Sequence, residues 1–221
     1  MTAPVVASER GVTLIGGGAV TAGDLGQALA LAPVLVAADG GADAALDLGH
    51  RPLAVIGDFD SLSARARAAL PPGTLHHVAE QDSTDFEKCL TRIAAPFVIA
   101  VGFAGRRLDH TLAALNVMAR RPARKVILIA DEDIVFLCPP DLSLDRPPGS
   151  RLSLFPMGPA RGTSEGLEWP IDGLDFAPGG ASGTSNRVTG PVRLTMQGPM
   201  LVMLPRAALA AAMAGLGLVT A

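Results

Sequence analysis

Four short apolar runs in the first half of the chain each end in acids. After 34–37 come Asp39, Gly40 and Gly41; after 53–56, Asp58 and Asp60; after 75–78, Gln81, Asp82, Thr84 and Asp85; after 97–101, Arg106, Arg107 and Asp109. Taken singly, each residue has a plain structural role. Thr84 and Glu87 have the spacing of a capping box, Asp109 could cap a helix over 110–119, and Gly40–Gly41 could make a tight turn. His110 taken alone reads as a first-turn helix residue, and Arg106–Arg107 as a solvated pair. The clustering is what these roles leave unexplained. In an open parallel sheet, ligands bind beyond the carboxyl ends of the strands. Carboxylates converging on one sheet edge repel one another unless a cation sits among them. Hard oxygen donors on loops suit Mg²⁺, which commonly bridges substrate phosphates.

The spacing of Asp58 and Asp60 also admits a nucleophile. Phosphatases of the haloacid-dehalogenase type carry D-x-D-x-T/V after a strand. Here the fifth position is Leu62 and Gly57 intervenes before the first Asp, although "IADED" at 129–133 could imitate their late acidic motif. No G-x-x-x-x-G-K-[ST] phosphate loop is present. "IGGGAVT" at 15–21 begins like a dinucleotide fingerprint but has Thr21 where the third glycine belongs.

The elements that position these residues follow from texture. Val/Ile-rich runs at 12–15, 34–37, 53–56, 75–78, 97–101 and 126–130 alternate with Ala/Leu-rich helical segments at 24–31, 42–48, 63–70, 85–94 and 110–119. Continuous apolar strands alternating with helices imply an α/β domain, Rossmann-like, with a mainly parallel sheet and flanking helices. Pro139, Pro140, Pro147, Pro148 and Gly149 then mark a change. Short runs at 151–155, 192–197 and 200–204, broken by Gly, Pro and Ser, read as a smaller all-β domain. The expected division is 1–138 and 139–221.

Composition bounds the rest. The 221 residues are 49% apolar and carry a net charge of −3, with no long basic block, which disfavours a nucleic-acid partner. The two cysteines, Cys89 and Cys138, lie in apolar runs and suit a reducing compartment. No signal-peptide layout opens the chain, and the Ala-rich tail is too short and Gly-interrupted to span a bilayer. The expectation is a cytoplasmic protein without a membrane partner.

The motifs together are specific enough to name a family. "ADGGAD" (38–43), "VIGDFDSL" (55–62), "QDSTDFEKCL" (81–90), "GFAGRRLDHTLAALNVM" (102–118), "SEGLEWPID" (164–172) and "SGTSNRV" (182–188) resemble, in order and spacing, those of thiamine pyrophosphokinases. The resemblance implies Mg²⁺-dependent transfer of a pyrophosphoryl group from ATP to the hydroxyl of thiamine, giving thiamine diphosphate and AMP. It implies a homodimer of α/β and β-sandwich domains, with the active site at the subunit interface. By position, Asp58, Asp60 and Asp85 match the metal and phosphate cluster, and Asp39 and Asp82 match acids of the same cleft. Gly40, Gly41, Gln81 and Thr84 fall on the ATP-phosphate side. Arg107 and Asp109 match an Arg-x-Asp, and Trp169, Ser185 and Asn186 match segments lining the thiamine pocket. Asp82 or Asp109 could accept the hydroxyl proton. Arg106 stands for a usual glycine, Gln81 for a frequent lysine and Ala114 for a common asparagine. A phosphatase with Asp58 as nucleophile and a non-catalytic nucleotide or thiamine sensor remain the competing classes.

Overall fold

A computed structural model describes residues 3–105 and 107–218. Arg106, and any reading that depends on it, lies outside the described residues. The chain has a mixed α/β fold and divides into two compact units. One comprises the residues up to Val117 together with Leu128–Asp131; the other comprises Met118–Ile127 and the residues from Glu132 onward.

The first unit holds β1 (Val6–Ala7), β2 (Val12–Ile15), α1 (Ala22–Leu31), β3 (Val34–Ala38), α2 (Gly41–Asp47), β4 (Ala54–Gly57), α3 (Ala64–Ala69), β5 (Leu75–His77), α4 (Asp85–Arg92), β6 (Ile93–Ala94) and β7 (Val98–Val101). Helix α5 (Leu108–Arg120) and strand β8 (Val126–Ile129) follow. The ladders β3–β4, β4–β5, β2–β7 and β1–β6 are all parallel. Strands β2, β4 and β7 are buried along their whole length, which is why they read as continuous apolar runs instead of alternating ones. Leu14, Ile15, Ile56 and Ile99 are fully buried, each stabilising by roughly 1.5–3 kcal/mol of removed apolar surface.

Three local features refine the sequence reading. Thr21, out of place in a dinucleotide fingerprint, is the N-cap of α1 and forms a capping box with Asp24. Asp109 does not cap α5, because the helix already begins at Leu108 and Asp109 lies in its first turn. Thr84 is a cap as expected: its hydroxyl accepts from the Glu87 N–H at the start of α4. The segment expected as helix over 85–94 ends at Arg92, and Ile93–Ala94 pair with β1 instead.

The second unit holds β9 (Asp133–Leu137), β10 (Asp141–Leu144), β11 (Arg151–Pro156), β12 (Arg161–Leu167), β13 (Gly183–Gln197), β14 (Met200–Pro205) and α6 (Leu209–Gly215). All its ladders are antiparallel: β9–β14, β14–β11, β11–β13, and β13 with both β10 and β12. Strand β9 precedes Pro139, yet it pairs with β14 and so packs with the second unit. The 15-residue β13 is more than twice the length of the run 192–197 that stood out in the sequence. Gly190–Pro191 read as a break, and across it the strand passes from β11 to β10, while β12 pairs on both sides, at Val188 and from Arg193. Its first part pairs with β11 through Arg187, and its last part from Val192 lies between β10 and β12.

Candidate active site

The exits of β2, β3, β4 and β7 and the start of α4 surround a cleft of about 600 Å³ in the first unit. Its wall includes Gly17 and Gly18 after β2, Asp39 and Gly40 after β3, Asp58 and Ser61 after β4, and Gly102–Gly105 after β7. Gln81, Thr84, Asp85 and Lys88 line the α4 side, with Arg107 and His110 from the α5 side. Close backbone approach shapes this edge. A Cβ on Gly41 would stand 2.2 Å from the carbonyl oxygen of Ile15, so only glycine lets α2 start against the end of β2.

Three carboxylates converge here. Asp39, Asp58 and Asp60 each offer an oxygen, and these oxygens lie within 4.8 Å of one another. The backbone between the last two is bent to permit it. Phe59 has φ +66°, a left-handed conformation unusual for so bulky a residue. Its ring is held 5.5 Å from the His77 ring, with the Arg67 guanidinium 5.3 Å from its centroid. Asp39 is also left-handed, at φ +42°. Ser61 knits the group: its hydroxyl donates to Asp60 Oδ1 (2.8 Å) and its N–H points to Asp39 Oδ2 (3.4 Å).

The charges are not equivalent. Asp39 is 1% exposed, and its Oδ1 is buried without a partner. Burial, reinforced by the Asp85 and Asp60 charges against the Ser61 N–H, pushes its carboxyl up to about 7. Asp58 goes the other way: the Lys88 ammonium, above all, holds it below the ordinary carboxylate range, and Gln81 assists. Burial raises Asp85, and its contact with Lys88 only partly offsets this. Lys88 Nζ donates to Asp58 Oδ2 at 2.8 Å and to Asp85 Oδ1 at 3.1 Å, and its side chain is 3% exposed. Burial pulls its pKa down, but the hydrogen bonds and charges of the two acids outweigh burial and raise it.

Against the expected residues, the triad of closest carboxylates contains Asp39 where Asp85 was anticipated. Asp85 shares the cleft but spends one oxygen on Lys88. Gln81 Nε2 donates to Asp58 Oδ2 at 3.2 Å, so it touches the cluster. Gly40 lines the cleft, whereas Gly41 is buried behind it. Asp82 is exposed and is not among the lining residues. Arg107 reaches the rim, but both arms of its fork rest on Asp109, at 3.2 and 2.6 Å. That pairing lowers the Asp109 carboxyl and makes it a poor proton acceptor. Sequence reasoning missed Lys88 and the tilted ring pair Phe86–Phe103, 4.7 Å between centroids, which also lines the cleft. The position of Lys88 three residues after Asp85 on one helix was the available signal.

In the second unit, Trp169 is 52% exposed and the Arg187 guanidinium lies 5.8 Å from its ring centroid. Asn186 is buried and grips the backbone of Trp169. Its Oδ1 accepts from the Trp169 N–H (3.2 Å) and its Nδ2 donates to the Trp169 carbonyl (2.7 Å). Ser185 has φ +59°, and its N–H donates to the Ser153 hydroxyl at 2.9 Å.

The sequence matches two family descriptions. "Thiamin pyrophosphokinase, catalytic domain" covers residues 25–129, and "Thiamin pyrophosphokinase, vitamin B1 binding domain" covers 141–201. The chain belongs to the thiamin pyrophosphokinase family. Enzymes of this family transfer a pyrophosphoryl group from ATP to thiamine. Thiamine pyrophosphokinase 3 of Oryza sativa subsp. japonica is 29% identical over 191 residues, 71% of this chain and 72% of that protein. Thiamine pyrophosphokinase 1 of the same plant is 27% identical, over 69% and 71%. In fold, the chain resembles thiamin pyrophosphokinase from Candida albicans, with a TM-score of 0.77 at 16% identity over 93% of this chain and 94% of that one. The enzyme from Bacillus subtilis gives 0.72 at 20% identity, over 89% and 98%.

Proposed function

We propose that the acid cleft of the first unit holds Mg²⁺ and the phosphates of ATP, and that the chain uses them to convert thiamine to thiamine diphosphate. One observation carries this reading: three aspartate oxygens within 4.8 Å at parallel-strand exits, one of them on the buried Asp39 whose second oxygen lacks a partner. An all-oxygen, multiply anionic donor set fits Mg²⁺, with Asp39, Asp58 and Asp60 as the residues that would hold it. The bound ion would neutralise charge on the phosphate oxygens.

The chain's own residues do the remaining work by positioning. Lys88 and Gln81 aim Asp58. The glycines at 17, 18 and 40 let phosphates approach the backbone. Phe86 and Phe103 form a wall that limits water. Arg107 turns its fork from Asp109 to phosphate oxygens, a bidentate geometry lysine cannot copy. The thiamine hydroxyl oxygen then bonds to the β-phosphorus as the bond from that phosphorus to the bridging oxygen breaks, the oxygen leaving with AMP, and the hydroxyl proton passes to a carboxylate of the cleft. Trp169, held by Asn186, offers a face to the cationic thiamine ring, worth roughly 0.5–2 kcal/mol; Ser185 borders it. In this reading the first unit is a Rossmann-like ATP and Mg²⁺ domain, and the second is a β-sandwich that binds thiamine. The active form is a cytoplasmic homodimer with the site shared between subunits. Among the described residues no helix is long and apolar enough to cross a membrane.

The nucleophile alternative is disfavoured because Asp58 Oδ2 already receives Lys88 and Gln81. The test is Asp58→Asn. Turnover should fall at least about a hundredfold, as for loss of a preorganised charge, with no phosphoenzyme in either chain. A hydroxylamine-sensitive phosphoenzyme that vanishes in Asp58→Asn would refute the reading.

A further inference from the structure

Lys88 is the cluster's own cation. Its ammonium donates to both Asp58 and Asp85, and its side chain, 3% exposed, belongs to the buried run 86–90 of α4. Four acids, Asp39, Asp58, Asp60 and Asp85, serve one cleft edge, and the ammonium offsets one of their charges permanently. Being 3% exposed, it is poorly placed to meet a phosphate directly, so it acts through the two acids.

We infer that Lys88 is a positioning residue that tunes metal affinity: it fixes Asp58 and Asp85 and reduces the negative charge that a divalent cation meets, which keeps the ion loosely held. This rests on the reading of the cleft as a cation site. A purely structural ion pair and a tuning cation both stabilise the fold, but they differ in one sign. Removing a structural prop disorders Asp58 and weakens cation binding. Removing a positive charge beside the site strengthens it.

The experiment measures Mn²⁺ binding by electron paramagnetic resonance in the nucleotide-free full chain, beside thermal melting. Lys88→Met keeps the apolar stem and removes the charge. It should bind Mn²⁺ roughly tenfold more tightly than the unmodified chain, as expected for deleting a like charge near the ion. Lys88→Arg should leave the affinity near its starting value. If Lys88→Met does not fold, Lys88→Met/Asp85→Asn replaces a buried pair by neutral groups, a change that folds often tolerate. This variant restores the net charge and should bind within about threefold of the unmodified chain. Unchanged or weaker binding in folded Lys88→Met, or collapse of binding in the double variant, overturns the inference while leaving the cation site intact. Failure of the unmodified chain to bind Mn²⁺ overturns both.

Discussion

At the scale of single residues, the cleft depends on carboxylates made unlike one another by their surroundings. Asp39 gives the clearest consequence. Its folded-state pKa is raised from 3.8 to about 7, so between those values the folded chain holds a proton that the unfolded chain has lost. The contribution of this group to stability therefore falls as pH rises from about 4 to about 7. Asp39→Asn should remove that slope: in metal-free buffer, the melting temperature of the variant relative to the unmodified chain should rise steadily over this range. A difference independent of pH contradicts the assignment. Arg107 belongs to the same scale. Its pair with Asp109 is exposed on both sides, at 65% and 64%, and such pairs add little to stability. Arg107→Ala should leave melting unchanged yet lower kcat/KM for ATP by at least about tenfold, as expected when a charge-assisted phosphate contact is lost. Paired losses of both would mark Arg107 as structural.

At the scale of elements, short helices and strand exits supply the geometry, and caps hold them. Thr84 ends the loop carrying Gln81 and starts the helix carrying Asp85 and Lys88. Thr84→Ala should cost about 1 kcal/mol, while Thr84→Ser keeps the cap; chemical denaturation checks both. Gly41→Ala places a Cβ 2.2 Å from Ile15 O and should destabilise more than the cap variant, because the atom it meets is backbone. This scale was the most legible in the sequence. Strands β2, β4 and β7 are buried along their whole length, so their apolar runs stood out and strand exits located the acids. What stayed hidden had physical causes. Lys88 lies in a run of buried residues, and its charge is compensated by Asp85 of its own helix together with Asp58, which the exit of β4 brings in from elsewhere in the sequence. The exchange of Asp39 for Asp85 in the closest triad depends on loop conformations at Asp39 and Phe59 with positive φ, which no spacing rule encodes. The length of β13 was masked by Gly190–Pro191, residues that break most strands but here sit where pairing changes hands.

At the scale of the whole molecule, the phosphate-handling residues and the candidate thiamine residues fall in separate units, each with its own ladders and core. The shared-site reading is tested by complementation. At subsaturating thiamine, Asp58→Asn chains should be nearly inactive and Trp169→Ala chains reduced by up to about thirtyfold, and mixing them under subunit exchange should raise activity above either parent; a mixture that exchanges but gains nothing shows that each site is built within one chain. Trp169→Ala suits this test because Trp169 is exposed, whereas Asn186 is buried and holds backbone groups whose loss destabilises the fold. The reaction itself is read out by product analysis after incubating the chain with ATP, thiamine and Mg²⁺. Thiamine diphosphate and AMP should form in equal amounts, and both should be lost on chelation and fall at least about a hundredfold in Asp58→Asn. ADP with thiamine monophosphate, or inorganic phosphate released without any thiamine product, contradicts this reaction.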